Sequence, residues 1–161
     1  MRKQRGFSLI ELLIVVAIIL IIAAIAIPNL LRARMAANES SAVGGVRTVN
    51  TAEVTYFSTY PTVGFSSVLA NLGGTGSPCV SASNNACLID SVLAAGTKSG
   101  YNYVSGAGTG TGTPQPTYSI TASPVTLNQT GTRYFCSYED GVVRYSTAAL
   151  TGCPASTSPL Q

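Results

Sequence analysis

Glu11 is the charged residue of this chain with the least obvious role. It lies five residues into an almost unbroken apolar run, Gly6 to Pro28, with the sequence GFSLIELLIVVAIILIIAAIAIP. A carboxylate near the centre of a membrane span costs roughly 2.5–3.5 kcal/mol, and such residues are functional candidates by default. We therefore expect Glu11 to be paired with a cationic group.

The four cysteines, Cys79, Cys87, Cys136 and Cys153, form the second group with chemistry of its own. Zinc sites favour close pairs such as C-x2-C, whereas consecutive cysteines of this chain are all much further apart. An even cysteine count behind an export signal indicates disulfide bonds formed in an oxidising compartment. Three connectivities are possible. The pairs Cys79–Cys87 and Cys136–Cys153 are favoured because each would close a local loop.

The composition argues against catalysis. The chain contains no histidine, which removes the usual general base and the commonest metal ligand. Serine and threonine are plentiful, but a hydroxyl without an activating base is a weak nucleophile. Glu139 and Asp140 share one predicted turn, and two acids fall well short of the roughly 6–8 oxygen ligands that calcium takes. We expect no catalytic residue, no metal site and no cofactor.

The charges also argue against nucleic acid as the main partner. The formal net charge is +3, from 9 Lys and Arg against 6 Asp and Glu in 161 residues. Arg2, Lys3 and Arg5 precede the apolar run, and the other six cations are matched by the six acids. No basic patch remains, so no specific nucleic-acid site is predicted.

The segment from Met1 to Pro28 allows more than one interpretation. A cleaved secretory signal would use the basic cluster and the Ala24-Ile25-Ala26 site, but the apolar stretch is longer than the usual length of roughly 7–15 residues. A plain membrane anchor fits the length, because about 20 apolar residues span roughly 30 Å of hydrocarbon. The basic cluster then places the N-terminus in the cytoplasm. Neither interpretation gives Glu11 a role.

A third interpretation comes from the order of the residues in KQRGFSLIELLIVVAIILIIAAIAIPNLLRAR. This segment resembles the N-terminus of type IV pilins and their pseudopilin relatives. The resemblance rests on a short basic leader ending in Gly6, on Phe7, on Glu11 five positions after the glycine, and on the aliphatic run up to Pro28. It covers only the N-terminal part of the chain.

The resemblance implies a specific processing step and a role for Glu11. A prepilin peptidase would cleave between Gly6 and Phe7 on the cytoplasmic side and methylate the new amine of Phe7. That amine could then pair with Glu11 of a neighbouring subunit and set the register of a filament, because a buried carboxylate is tolerable only when paired.

The same resemblance implies the partners and the location. The expected partners are other pilin subunits in a homopolymer, the prepilin peptidase, the inner-membrane pilus assembly machinery, and the inner membrane itself before assembly. The chain would be a single-pass protein of the bacterial inner membrane with a cytoplasmic N-terminus, and then part of an extracellular pilus.

Residues 29–60 are predicted to continue the helix as an amphipathic segment. Apolar residues recur at approximately helical spacing, at Leu31, Met35, Val46, Val49, Tyr56 and Tyr60. Charged residues take many of the other positions and are expected on the polar face: Arg32, Arg34, Glu39, Arg47 and Glu53. Pro61 should end the helix near Thr59, and Pro28 should break or loosen it locally.

The remaining residues predict a small antiparallel sheet. Short helical pieces are expected within Gly64–Gly74 and Leu88–Tyr101. Strand-like runs follow at Tyr101–Ser105, Thr117–Ala122, Arg133–Tyr138 and Val142–Ser146. Asp140-Gly141 is a hairpin signal between the last two. The predicted fold is α+β, a long N-terminal helix packed on a roughly four-stranded antiparallel sheet.

The predicted organisation is a leader peptide at 1–6, a transmembrane or filament-core helix at 7–28, its amphipathic continuation at 29–60, and a globular head at 61–161. The resemblance also implies a C-terminal loop bounded by Cys136 and Cys153. The expected function is a structural subunit of a type IV pilus, supporting adhesion, twitching motility or DNA uptake. A type II secretion pseudopilin and a monomeric membrane-anchored binding domain remain as alternatives.

Overall fold

The computed structural model describes residues 7–108, 110 and 112–160, which fall into two units divided between Arg34 and Met35. The helices and strands of the described chain are α1 (Leu9–Thr59), α2 (Leu69–Leu72), α3 (Ser91–Ala94), β1 (Thr97–Lys98), β2 (Tyr101–Ala107), β3 (Tyr118–Pro124), β4 (Tyr134–Tyr138), β5 (Arg144–Ser146) and β6 (Ser158–Pro159). Helix α1 ends at Thr59, where Pro61 predicted its end.

Helix α1 runs through Pro28 as one assigned helix. The break that we predicted at this residue therefore does not interrupt the helix. Proline removes one backbone hydrogen bond and crowds the preceding turn, at a cost of roughly 3 kcal/mol. Good helix formers, Leu30 and Leu31, follow after Asn29, and they favour continuation of the helix beyond the weakened turn.

The six strands form one antiparallel sheet in which each strand pairs with the next along the chain. The four predicted runs become β2, β3, β4 and β5, which confirms the predicted α+β fold of a long helix and an antiparallel sheet. The two-residue strands β1 and β6 extend its edges. Two residues are too few to show strand alternation, so sequence reasoning missed them.

Turn residues lie where the sheet needs them. Gly141 has φ 69°, and its N–H donates to the Tyr138 carbonyl at 2.8 Å in the connection between β4 and β5. Asp90 caps α3 by accepting from the Leu93 N–H at 3.0 Å. That helix ends just before Gly96, which has φ 84°.

The core of the second unit lies between one face of α1 and the sheet. Strand β3 shows the alternation expected of a sheet with one covered face, since every second residue from Tyr118 to Pro124 is buried. The helix and the strands contribute apolar side chains with at most 4% exposure, among them Ala42, Val46, Val49, Tyr56, Tyr101, Tyr103, Ile120 and Phe135.

Two acids that we placed on the polar face of α1 are in fact buried against the sheet side. Glu39 accepts hydrogen bonds from the backbone N–H and the hydroxyl of Thr132, both at 2.8 Å, and from Arg133 Nε at 2.8 Å. These bonds and the Arg133 charge outweigh desolvation and hold the pKa of Glu39 below its usual value. Asn50 is buried on the same face and bonds Ser137 and Tyr118.

Glu53 is the second misplaced acid, and it is fully enclosed. Its carboxylate accepts from the Ser66 N–H at 2.8 Å and from the Ser105 hydroxyl at 3.4 Å. No ion pair joins it to a cation of the described residues. Burial therefore raises the pKa of Glu53 to about 7, although both hydrogen bonds oppose the shift.

The consecutive glycines of α1 have different surroundings. A methyl group at Gly44 would meet no atom within 4 Å, whereas one at Gly45 would come within 2.6–2.8 Å of the hydroxyl and ring of Tyr103. Tyr103 is 3% exposed and has little room to retreat. Gly45 therefore permits the close approach of the helix to β2.

We predict that Glu53→Gln removes a pH dependence of stability. The folded-state pKa of about 7 lies above the ordinary 4.5, so the stabilising contribution is complete below pH 4.5 and is lost as the pH rises through 7. As the pH rises from 4.5 to 8, the unchanged chain should lose up to about 3 kcal/mol of unfolding free energy relative to Glu53→Gln. Urea unfolding of both full chains in detergent measures this, and parallel pH profiles would contradict it.

The glycine pair gives a matched prediction. Gly44→Ala should stabilise the chain by about 1 kcal/mol through helix propensity. Gly45→Ala should destabilise it by about 1–3 kcal/mol, because the added methyl group overpacks against Tyr103. Removing the nearest atom with Tyr103→Phe should recover part of that loss. Thermal unfolding in detergent provides the measurement, and equal effects at the two glycines would show that the contact with Tyr103 is unimportant.

Candidate functional site

The first unit presents an apolar surface that nothing in the described chain covers. From Phe7 to Arg34 every residue is exposed except Ala23, which is half-buried. The large side chains are 43–78% exposed and include Phe7, Leu9, Ile10, Leu12, Leu13, Ile14, Ile18, Ile21, Ile25, Ile27, Leu30 and Leu31. Exposed apolar patches of this extent mark surfaces that meet a membrane or another protein.

The length and composition of this part of α1 allow it to cross a membrane. It contains an 18-residue window that is apolar enough for a span, and none of that window is buried within the chain. The aliphatic side chains of Phe7–Pro28 therefore need an apolar environment that lies outside the chain.

Glu11 lies in the first turn of α1, where a carboxylate interacts favourably with the helix dipole. It is exposed, and its side chain forms no hydrogen bond or ion pair with the described residues. Phe7 precedes the helix and is 78% exposed. Gly6, the other residue of the expected cleavage junction, lies outside the described residues.

Phe7 and Glu11 are separated by about one helical turn. An amine created at Phe7 would be a cation near the lone acid of the apolar run, and both groups would be accessible to a second chain. Opposite charges attract more strongly where an apolar surrounding lowers the dielectric constant.

The cysteines lie in the second unit and form two disulfide bonds, Cys79–Cys87 and Cys136–Cys153. These are the two pairs that local loop closure favoured. The first closes a loop in the segment between α2 and α3. The second ties the C-terminal segment to β4, because Cys136 is a buried residue of that strand. Both cysteine pairs are structural, and the described residues contain no free cysteine.

The acidic turn near β4 contains one paired and one unpaired acid. Asp140 binds Arg144 through both carboxylate oxygens, at 3.0 and 2.5 Å, and the pKa of Asp140 is lowered by this contact. Glu139 is exposed and makes no ion pair with the described residues. Within the described ranges no three His, Cys, Asp or Glu side chains converge as metal ligands would.

Sequence reasoning also missed a cleft beside Glu139. It has a volume of about 500 Å³ and is lined by Tyr118, Ser119, Tyr138, Glu139 and residues 151–155 among others. It depends on the Cys136–Cys153 bond, which holds residues 151–155 beside the sheet. The only signal in the sequence was that Glu139 stands next to Asp140, the acid that pairs with Arg144.

The exposed apolar run lies within the part of the chain that is similar to known proteins. Residues 1–27 match the family model of the prokaryotic N-terminal methylation motif. Over 40 residues, 25% of this chain and 30% of the relative, the chain is 65% identical to the type IV wide pilus major component PilA4 of Thermus thermophilus. The N-terminal part of the chain is therefore similar to that of a type IV pilus component.

A second relative extends the match. Over 56 residues the chain is 48% identical to the type IV major pilin protein PilA of Myxococcus xanthus, which covers 35% of this chain and 26% of that protein. The pilin resemblance thus spans less than a third of either curated relative. No solved structure matches the chain.

Proposed function

We propose that the chain is a structural subunit of a type IV pilus and polymerises with copies of itself through the exposed apolar part of α1. The observation that carries this proposal is the uncovered run Phe7–Pro28 with one unpartnered carboxylate, Glu11. Both curated relatives are named as major pilus components, which supports a major subunit over a minor one. The chain contributes no chemistry of its own.

The apolar run serves two environments in this proposal. Before assembly it spans the inner membrane with the N-terminus in the cytoplasm, where the prepilin peptidase acts. During assembly a membrane machinery transfers it from lipid into a filament of similar helices. Lipid tails and aliphatic side chains are equally apolar, so the transfer changes partners without exposing the run to water. The second unit then faces solvent on an extracellular pilus.

Glu11 gives the contact between two helices a defined register, which aliphatic side chains alone do not. Hydrophobic burial is non-directional, so an aliphatic run tolerates sliding of one helix along another. A buried carboxylate is destabilising unless a cation lies at one position. The methylated amine of Phe7 in a neighbouring subunit provides that cation, and a subunit out of register would leave two unpaired charges.

Two alternatives make different use of the same N-terminus. A type II secretion pseudopilin would form a short periplasmic filament, and both relatives with pilus names weigh against it. A monomeric membrane-anchored binding domain would use the helix only as an anchor. It gives Glu11 no task, and its assembly state would not depend on that residue. Adhesion, twitching motility and DNA uptake are the pilus functions that the subunit would support.

Processing is the first test of the proposal. We predict that protein recovered from a sheared-surface fraction starts at Phe7 and carries one methyl group on its amine. Intact mass and N-terminal sequencing measure both features. A chain that starts near Ile27 would instead identify Ala24–Ala26 as an ordinary signal cleavage site. Recovery only from membranes, with none in sheared filaments, would favour the anchored binding domain.

Glu11→Gln is the second test. We expect this change to reduce sheared filaments at least tenfold, since loss of a buried ion pair costs more than about 1.4 kcal/mol per subunit. Membrane insertion and both disulfide bonds should be unaffected, because Glu11 forms no ion pair with the described residues of a single chain. Leu12→Ile is the matched control in the same helical turn and should assemble normally. Normal filaments from Glu11→Gln would rule out the register role.

A further inference from the structure

The charges of the second unit pair almost completely within one chain. Residues 35–161 contain four Lys or Arg and five Asp or Glu. Three ion pairs use three of each sign: Lys98–Asp90, Arg133–Glu39 and Arg144–Asp140. Glu53 is enclosed in the core. Among the described residues of the second unit, one cation and one exposed acid remain without an ionic partner, Arg47 and Glu139.

Arg47 is an exposed residue of α1 with no acid one helical turn away. Its neighbours at those positions are Val43, Gly44, Asn50 and Thr51, so no i,i+3 or i,i+4 ion pair can form. Arg32 and Arg34 differ, because they directly follow the apolar run, where long basic side chains reach for the membrane surface. Arg47 belongs to the second unit, several helical turns beyond that run.

Glu139 lies at the wall of the cleft that also includes Tyr118, Tyr138 and residues 151–155. A carboxylate at the wall of a cleft suits a guanidinium, which forms two parallel hydrogen bonds to the acid. The adjacent acid already shows this chemistry within one chain. Arg144 binds Asp140 and lies 4.2 Å from the ring centre of Tyr138.

We propose that the cleft beside Glu139 receives the guanidinium of Arg47 from a second copy of the chain. The charge complement is one to one, so each copy offers one donor and one acceptor and a row of copies leaves both satisfied. A contact between two different patches of identical chains repeats from copy to copy and builds an open helical array. The inference rests on the proposed filament and names one contact within it.

A zero-length crosslink tests the contact directly. Cells produce two full-length chains together, one carrying Arg47→Lys with Glu139→Gln and one unchanged. A carbodiimide joins an amine to a carboxylate only when they touch, and arginine does not react. A linked peptide that contains positions 47 and 139 must therefore join two copies. The internal pair Lys98–Asp90, 2.8 Å apart, is the positive control in every sample.

We expect the 47–139 linked peptide in sheared filaments, detected by mass spectrometry. If the control link forms and filaments assemble but this peptide is missing, the contact is wrong and the proposed pilus function stands. If the peptide forms in membranes of cells that make no filaments, the contact stands and the filament proposal is wrong. A link from Arg32→Lys or Arg34→Lys to Glu139, in place of position 47, would overturn the assignment to Arg47.

Charge reversal tests the energy of the contact. Arg47→Glu and Glu139→Arg should each raise subunit release from sheared filaments about tenfold at low salt, a change of about 1.4 kcal/mol. Subunit release from the double variant should return to within about threefold of the unchanged chain, because the acid and the cation have exchanged positions and can pair again. High salt should diminish all three differences. Single variants that release subunits like the unchanged chain, or a double variant no better than either, would contradict the proposal.

Discussion

Burial of one face of α1 against the sheet is the interaction on which the second unit depends. The six strands are short and pair in simple sequence order, so the described sheet cannot enclose a core without another layer. Residues 35–59 supply that layer with small and medium side chains such as Ala42, Val46 and Val49. The strands contribute aromatic side chains, and Gly45 makes room for the ring of Tyr103. The helix and the sheet can therefore pack closely because small side chains on the helix meet large side chains on the strands.

Polar groups within the same interface fix how the helix lies on the sheet. Glu39, Asn50 and Glu53 each meet particular hydrogen-bond partners, and the partners differ. Glu39 accepts from Arg133, and Glu53 accepts from one backbone N–H and one hydroxyl. Asn50 donates to the Ser137 hydroxyl and accepts from the Tyr118 hydroxyl. A buried polar group that loses its partner costs about 1–3 kcal/mol. A shift of the helix by one turn would remove the hydrogen-bond partners of all three buried polar side chains at once. The apolar residues provide the attraction, while these three provide the alignment.

Sequence patterns predicted the elements better than the contacts. Strand-like runs and a turn signal located β2, β3, β4 and β5, and Pro61 located the end of α1, because these depend on neighbouring residues. The burial of Glu39 and Glu53 was missed because charge was taken to mean solvent, although their spacing is close to a whole number of helical turns and places them on one face. The cleft beside Glu139 was missed because it depends on how residues 151–155 lie against β3 and β4, which local pattern cannot specify even where the disulfide pairing is predicted.

The motif residues Phe7 and Glu11 could be singled out from the sequence for the opposite reason, since the role proposed for them does not depend on the rest of one chain. In the described structure Glu11 has no side-chain partner, and the surface around it is apolar. Only 9% of the residues are charged, and six of these form ion pairs within the second unit. An aliphatic surface gives association without direction, so the geometry of an assembly must come from the few charges that a single chain leaves unpaired. Glu11 would set the position of the helices and Arg47 with Glu139 that of the second units, and an assembly that satisfied one pair but not the other would be strained in every copy.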